Sequence, residues 1–305
     1  MTLVAVVGAT GTGKTARSLD IADAVARLGH RAEIVNCDAM QLYRGMDIGT
    51  AKASVDERRG HPHHLLDVLE PWQDAAVPAY RDAALAVIAG IEERGAVPIL
   101  VGGSGLYASS VLYDFEFPAT DAALRATLES ELEQHGAAAM HARLLAVDAA
   151  AAAAIGPHNG RRLVRALEAV TLTGEPFRVG LPPEESLVRR TIIQHQRADR
   201  AELVARLDAR VAAMWALGIV EEARALREAG IERGTTAQQA IGYRQALDQL
   251  DGRIDEAEAI ASTQALTRRY ARRQVSWFQR YPAAPTAEPA SIAARAVAGL
   301  EGRRS

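Results

Sequence analysis

Leu3-Val-Ala-Val-Val-Gly-Ala-Thr-Gly-Thr-Gly-Lys-Thr15 decides the fold. Its first half, Leu3 to Val7, is a continuous β-prone apolar run, as a strand buried on both faces requires. Its second half, from Gly8 to Thr15, has the spacing G-x-x-x-x-G-K-T and leads straight into Ala16 to Leu28, which has helical periodicity. In such a strand, loop and helix the glycines let backbone N–H groups turn inward around phosphate oxygens, and the helix presents its positive end to them. Lys14 adds a point charge, and the Thr15 hydroxyl can take a place on Mg2+. Gly8, Thr10, Gly11, Thr12, Gly13, Lys14 and Thr15 are therefore expected to hold a diphosphate or a triphosphate. The spacing does not say which.

Outward from this stretch, short apolar runs alternate with helical patterns. Glu33 to Asn36 reads as a second strand ending at Asp38, Ala79 to Arg94 as a helix, and Ala96 to Val101 as a third strand ending in Gly102 and Gly103. Arg190 to Gln194 resumes the pattern after a long interruption, and everything beyond Asp199 looks helical. Strands alternating with helices imply crossover units and a parallel sheet. The expected fold is α/β, a P-loop NTPase-like parallel sheet flanked by helices. Residues 1–113 and 186–305 form its core and a C-terminal helical layer. Residues 114–185, which include six consecutive alanines from Ala149 to Ala154, read as a helical insertion lobe. The stretch Pro-Ala-Ala-Pro-Thr-Ala-Glu-Pro-Ala-Ser after Tyr281 is expected to pack loosely.

Composition narrows the function. With 305 residues, 49% of them hydrophobic, the chain can bury one or two substantial cores. A formal net charge of -3 excludes coating of nucleic acid by bulk charge, so any RNA site must be a local basic pattern. Cys37 is the only cysteine, which rules out an intrachain disulfide and a multi-cysteine zinc site and fits a reducing cytoplasm. The apolar N-terminus breaks into glycines without a basic region or cleavage site, and no run of 18 apolar residues occurs. No membrane association is expected.

Ligands in open α/β sheets sit at the carboxyl ends of the strands, so Asp38 should face the same crevice as Lys14. A carboxylate there can accept a proton or hold a metal through water. Gln41 carries a donor and an acceptor, which suits the edge of an adenine. Plainer roles stay open: Asp38 as a helix N-cap, Gln41 as a solvated side chain. Arg268, Arg269, Arg272, Arg273 and Arg280 fall on one predicted helix as a basic stripe suited to phosphates. His61, His63 and His64 lack a second ligand group and are not read as a metal site. Trp72, Trp215 and Trp277 read as core or interface residues, and Tyr43 and Tyr107 either stack on a base or pack.

The segment Tyr43-Arg-Gly-Met-Asp-Ile-Gly-Thr-Ala-Lys52 resembles the signature of tRNA dimethylallyltransferases, which prenylate N6 of the adenosine next to the anticodon. His63-His-Leu-Leu-Asp-Val68, Val101-Gly-Gly-Ser-Gly-Leu-Tyr107, Arg165-Ala-Leu-Glu168, Gln239-Ala-Ile-Gly-Tyr-Arg244 and Arg272-Arg-Gln-Val-Ser-Trp-Phe278 resemble further family segments in order. The resemblance implies that Asp38 is the general base and Gln41 reads the adenine. Ser104, where the family usually has threonine, lies near the diphosphate and the attacking amine. Arg206 joins the P-loop residues in neutralising the diphosphate, with Mg2+ on Thr15. It further implies tRNA contacts by Asp38, Gln41, Gly242, Tyr243, Arg244 and Arg272. Gly156-Pro-His-Asn159 departs from the family's usual His-Pro-Asn-Asp, but Arg161, Arg162 and Arg165 keep that turn basic, as a clamp on RNA requires. The implied substrates are dimethylallyl diphosphate and the tRNA anticodon stem-loop, acted on by a monomer. The competing readings are a transferase that prenylates free AMP, for which the basic helix and the lobe are superfluous, a P-loop kinase of a small metabolite, and a nucleotide-binding regulator.

Overall fold

The structure, a computed structural model, describes residues 2–114, 116–177, 186–281 and 287–301. The chain divides into two compact units, one of Met1–Asp114 with Glu184–Ser305 and the other of Phe115–Pro183.

The first unit is built on a parallel five-stranded sheet in the order β3-β2-β4-β1-β5. β1 (Leu3–Gly8) lies between β4 (Val97–Gly102) and β5 (Thr191–Gln196), and β2 (Ala32–Asn36) lies between β4 and β3 (His63–His64). The strand period of two sends alternate residues to opposite faces. Leu3, Ala5 and Val7 pack with Ile88 and Ile91 of α2 (Val77–Glu93), with Val111 of α3 (Gly105–Leu112) and with Phe278. Val4 and Val6 pack on the other face with Ile21 and Val25 of α1 (Lys14–Arg27) and with Ile292, Ala296 and Val297 of α11 (Pro289–Glu301). Both faces are covered, which is why these strands read as unbroken apolar runs.

β3 was not foreseen, because two histidines paired to Ile34 and Val35 make no apolar run. The reading of the stretch after Tyr281 as loosely packed fails where it can be checked. Ala287 packs on the core and Pro289 opens α11, proline being well suited to a first helical turn. The rest of that stretch, residues 282–286, lies outside the described residues. Among the described residues no helix is long and apolar enough to cross a membrane.

The second unit consists of α4 (Ala122–Val147), broken at Gly136, α5 (Ala149–Ile155) and α6 (Gly160–Thr173). They close around Leu128, Met140, Leu144, Ala152, Leu163 and Leu167. Asp148 caps the alanine helix through Ala151 N at 2.9 Å and accepts from Phe177 N at 2.7 Å. Buried Glu168 pairs with Arg125 at 2.5 Å, so the Arg165-Ala-Leu-Glu168 segment contributes an internal ion pair.

The remaining elements of the first unit are α7 (Arg200–Ala216), α8 (Ile219–Glu228), α9 (Tyr243–Leu250) and α10 (Glu256–Phe278). Leu203 and Leu207 of α7 pack with Ala9 of the glycine loop and Ala271 of α10.

Candidate active site

The glycine loop after β1 has the backbone that its spacing demands. Gly8, Gly11 and Gly13 have φ of +146°, +80° and +83°, and a Cβ on Gly8 would stand 2.4 Å from the Gln196 carbonyl oxygen. Thr12 Oγ1 and Lys14 Nζ both donate to Ala9 O, at 2.8 and 2.7 Å. Burial pushes the Lys14 ammonium down to about 8, Asp38 opposes that shift, and Arg210 adds to it. Thr15 is exposed on the first turn of α1.

Asp38 follows the end of β2, where Asn36 Oδ1 accepts from its N–H at 2.9 Å. Its Oδ1 accepts from Met40 N at 3.0 Å, capping the 3-10 turn Ala39–Leu42. The capping role is thus real, and it occupies one oxygen only. No hydrogen bond among the described residues engages Oδ2.

Ser104 follows β4. Its Oγ accepts from Ala39 N at 3.0 Å, so the hydroxyl ties β4 to the Asp38 turn and does not cap α3. A Cβ on Gly102 would fall 2.0 Å from Cys37 O, and one on Gly103 2.6 Å from Gln274 Nε2. Those two glycines let β4 come close to β2 and to the loop. Tyr270 stands by Ser104 and Gln274, its hydroxyl pushed up to about 12 by burial, with Asp38 adding to the shift.

Gln41 is half-buried, donates Nε2 to Thr50 O at 3.1 Å, and lines a small crevice together with Thr15, Asn36 and His63.

Other expected site residues lie elsewhere. Arg206 is exposed and pairs with Glu202 at 3.5 Å, one turn back along α7. Leu203, Leu207 and Arg210 share the face turned to the glycine loop, and Arg206 sits at its margin. Arg210, not singled out in the sequence, donates Nη2 to Thr10 Oγ1 at 2.9 Å. Burial pulls its guanidinium below the ordinary value and Asp38 opposes this. The only sequence signal for it was its position one helical turn beyond Arg206.

Tyr243 does not face solvent. It is 1% exposed, donates to Glu222 Oε1 at 2.5 Å and accepts from Gly49 N at 3.1 Å. Gly242 is a buried helix cap with φ of +95°, and Arg244 pairs with Asp248 at 3.2 Å. Of the two readings left open for Tyr43, packing holds, since that ring is fully buried and its hydroxyl accepts from Ala75 N at 3.0 Å. Tyr107 packs on Tyr80 with ring centroids 4.7 Å apart. Trp215 is core, whereas Trp72 is 41% exposed beneath Arg233.

The basic stripe of α10 is shorter than expected. Arg268 pairs with Asp208 at 2.6 Å, and Arg280 lies beyond the helix end, over Tyr113. Arg269, Arg272 and Arg273 are exposed. In the second unit Arg161, Arg162 and Arg165 are exposed on the first turns of α6. His61 and His64 are taken up by Asp23 and Glu33, at 2.8 and 2.7 Å.

The cluster therefore combines a glycine loop with Lys14 and Arg210, a carboxylate with one oxygen to spare, and a neighbouring hydroxyl. Residues 41–281 match the family model described as IPP transferase. The chain is 58% identical to a tRNA dimethylallyltransferase of Clavibacter sepedonicus over 92% of this chain and 91% of that one. It is 52% identical to one from a Nocardioides species, over 92% and 89%. Among solved structures it resembles the tRNA isopentenylpyrophosphate transferase of Bacillus halodurans at 36% identity, with a TM-score of 0.67 and coverage of 99% and 98%.

Proposed function

Because this chain belongs to the IPP transferase family, that of the tRNA dimethylallyltransferases, we propose that its crevice transfers dimethylallyl from dimethylallyl diphosphate to N6 of the adenosine next to the anticodon. The observation that carries this reading is Asp38 beside Lys14 and Arg210 at the mouth of the glycine loop.

The exocyclic amine of adenine is a poor nucleophile because its lone pair is delocalised into the ring. Asp38 removes its proton as the N6–C1 bond forms, and the C1–O bond breaks with its electron pair going to diphosphate. Base catalysis of this kind contributes roughly 100- to 10,000-fold. Lys14, Arg210 and the loop N–H groups receive the growing charge on the leaving group. Thr15 Oγ1, exposed and with no hydrogen bond among the described residues, suits an oxygen-seeking Mg2+. The ion, when bound there, would neutralise diphosphate charge. Ser104 keeps the two sides in register, and holding amine and carbon in contact contributes about 7 to 11 kcal/mol.

The adenine must leave its stack to reach the crevice, at a cost of a few kcal/mol. Arg269, Arg272 and Arg273 of α10 offer phosphate contacts that offset this cost, and Arg161, Arg162 and Arg165 of the second unit offer more. Free AMP needs neither surface. Labelled dimethylallyl diphosphate, incubated with an anticodon stem-loop or with AMP, tests the reading. Label should enter the stem-loop and depend on Mg2+. Equal labelling of AMP, or phosphoryl transfer from ATP in place of prenyl transfer, would defeat it.

A further inference from the structure

Gln274 of α10 is 5% exposed, and no role in the transfer has yet been given to it. Its Oε1 accepts from Thr10 N at 2.9 Å, and its Nε2 donates to Gly103 O at 2.7 Å. One amide thus joins the glycine loop to the turn after β4. Turned through 180° it would set N–H against N–H and C=O against C=O, so only one orientation satisfies both backbone groups. The bond to Gly103 O is buried and the one from Thr10 N half-buried, and a buried group left unpaired is costly.

The bonds continue on either side. Thr10 is also held by Arg210 through its hydroxyl, and Gly103 precedes Ser104, whose Oγ binds Ala39 N next to Asp38. The leaving-group side and the proton-accepting side therefore meet in a single side chain. Thr10 N–H serves the protein and not the substrate, so this part of the loop is shaped before any diphosphate arrives. A loop preset in this way needs no reorganisation during reaction.

We propose that Gln274 is a positioning residue of the transfer, its amide fixing the distance between the diphosphate loop and the Ser104–Asp38 side. The proposal rests on the prenyl-transfer reading, and its test separates the two. Gln274→Met keeps the volume and removes both bonds. Because a displacement of about 1 Å costs on the order of 100-fold, kcat should fall by roughly that factor, with KM for stem-loop and diphosphate within about threefold of wild type. Gln274→Glu provides a second, independent readout. Ionised, its carboxylate repels Gly103 O; protonated, its O–H donates to Gly103 O while its C=O accepts from Thr10 N. Lys14 and Arg210 favour the ionised form, whereas burial and Asp38 favour the neutral one, and Tyr270 stands beside it uncharged.

The ratio of Gln274→Glu to wild-type activity should therefore rise as the pH is lowered, because protonating the introduced carboxyl restores both bonds. Thermal melts at each pH confirm that both variants are folded at the assay temperature. Full kcat in Gln274→Met, or a pH-independent ratio for Gln274→Glu, overturns the proposal. A wild-type enzyme that does not prenylate the stem-loop overturns the functional reading instead.

Discussion

Asp38 caps a turn and carries the proposed proton-accepting role, and two substitutions separate those functions. Asparagine keeps an oxygen for Met40 N but cannot take a proton. Asp38→Asn should lower kcat by roughly 100- to 10,000-fold without moving the melting temperature. Asp38→Ala should in addition cost about 0.5–2 kcal/mol of stability, the value of a lost cap. A melting temperature lowered equally in both would remove the cap from the account. Lys14 gives a pH prediction. With its value lowered from 10.5 to about 8, it is half neutral near pH 8 in the free protein. An anion beside it raises that value, so binding of dimethylallyl diphosphate, a phosphate ester that is fully ionised at about pH 8.5, should take up protons at that pH. Affinity should weaken as pH rises through about 8. Calorimetry in buffers of different ionisation enthalpy checks this, and Lys14→Met should abolish the uptake. Lys14 was legible from the glycine-loop spacing, Asp38 from its place at the end of the second strand, and Ser104 through the family resemblance. Arg210 was not, because two arginines one helical turn apart fit the same pattern and only the packing of Leu203 and Leu207 chooses between them.

At the scale of elements, the turn before Thr50 is held from α8 and α9. Glu222 accepts from Ile48 N at 3.0 Å and from Gly49 N at 3.4 Å, and the Tyr243 hydroxyl joins both Glu222 and Gly49 N. A Cβ on Gly49 would meet the Tyr243 ring at 2.4 Å. Tyr243→Phe should therefore cost about 1–3 kcal/mol, the penalty for leaving buried groups unpaired, as read by urea unfolding. Gly49→Ala should cost a similar 1–3 kcal/mol by overpacking. Wild-type stability in Tyr243→Phe would show that Glu222 alone holds the turn. The sequence could not reveal this, since a tyrosine between glycine and arginine looks like a surface contact until its distant partner Glu222 is placed. The sheet was more readable: four strands announced themselves as apolar runs or by resuming the βα pattern, and only β3, two residues long, left no signal.

The whole molecule makes the second unit separable. Where the chain leaves and re-enters the first unit, Asp114 N donates to Ser186 O at 3.0 Å and Val188 N to Leu112 O at 3.1 Å. The second unit also has an apolar cluster of its own. Replacing residues 115–185 by a short glycine-serine linker should leave a folded core that binds diphosphate with unchanged affinity. Transfer to the stem-loop should fall by at least tenfold, as expected when several arginine–phosphate contacts are lost. Unchanged transfer would show that this unit takes no part in gripping RNA.

The helix α11 has a practical corollary. The family match stops at residue 281, and α11 begins at Pro289, yet Ile292, Ala293, Ala296, Val297 and Leu300 seal the sheet face beside α1. A fragment trimmed to the matched span would lack β1 and the glycine loop at one end and this lid at the other. It would expose Val97 and Ile99 to water and invite aggregation. The span of the family model is thus shorter than the stretch that must fold together.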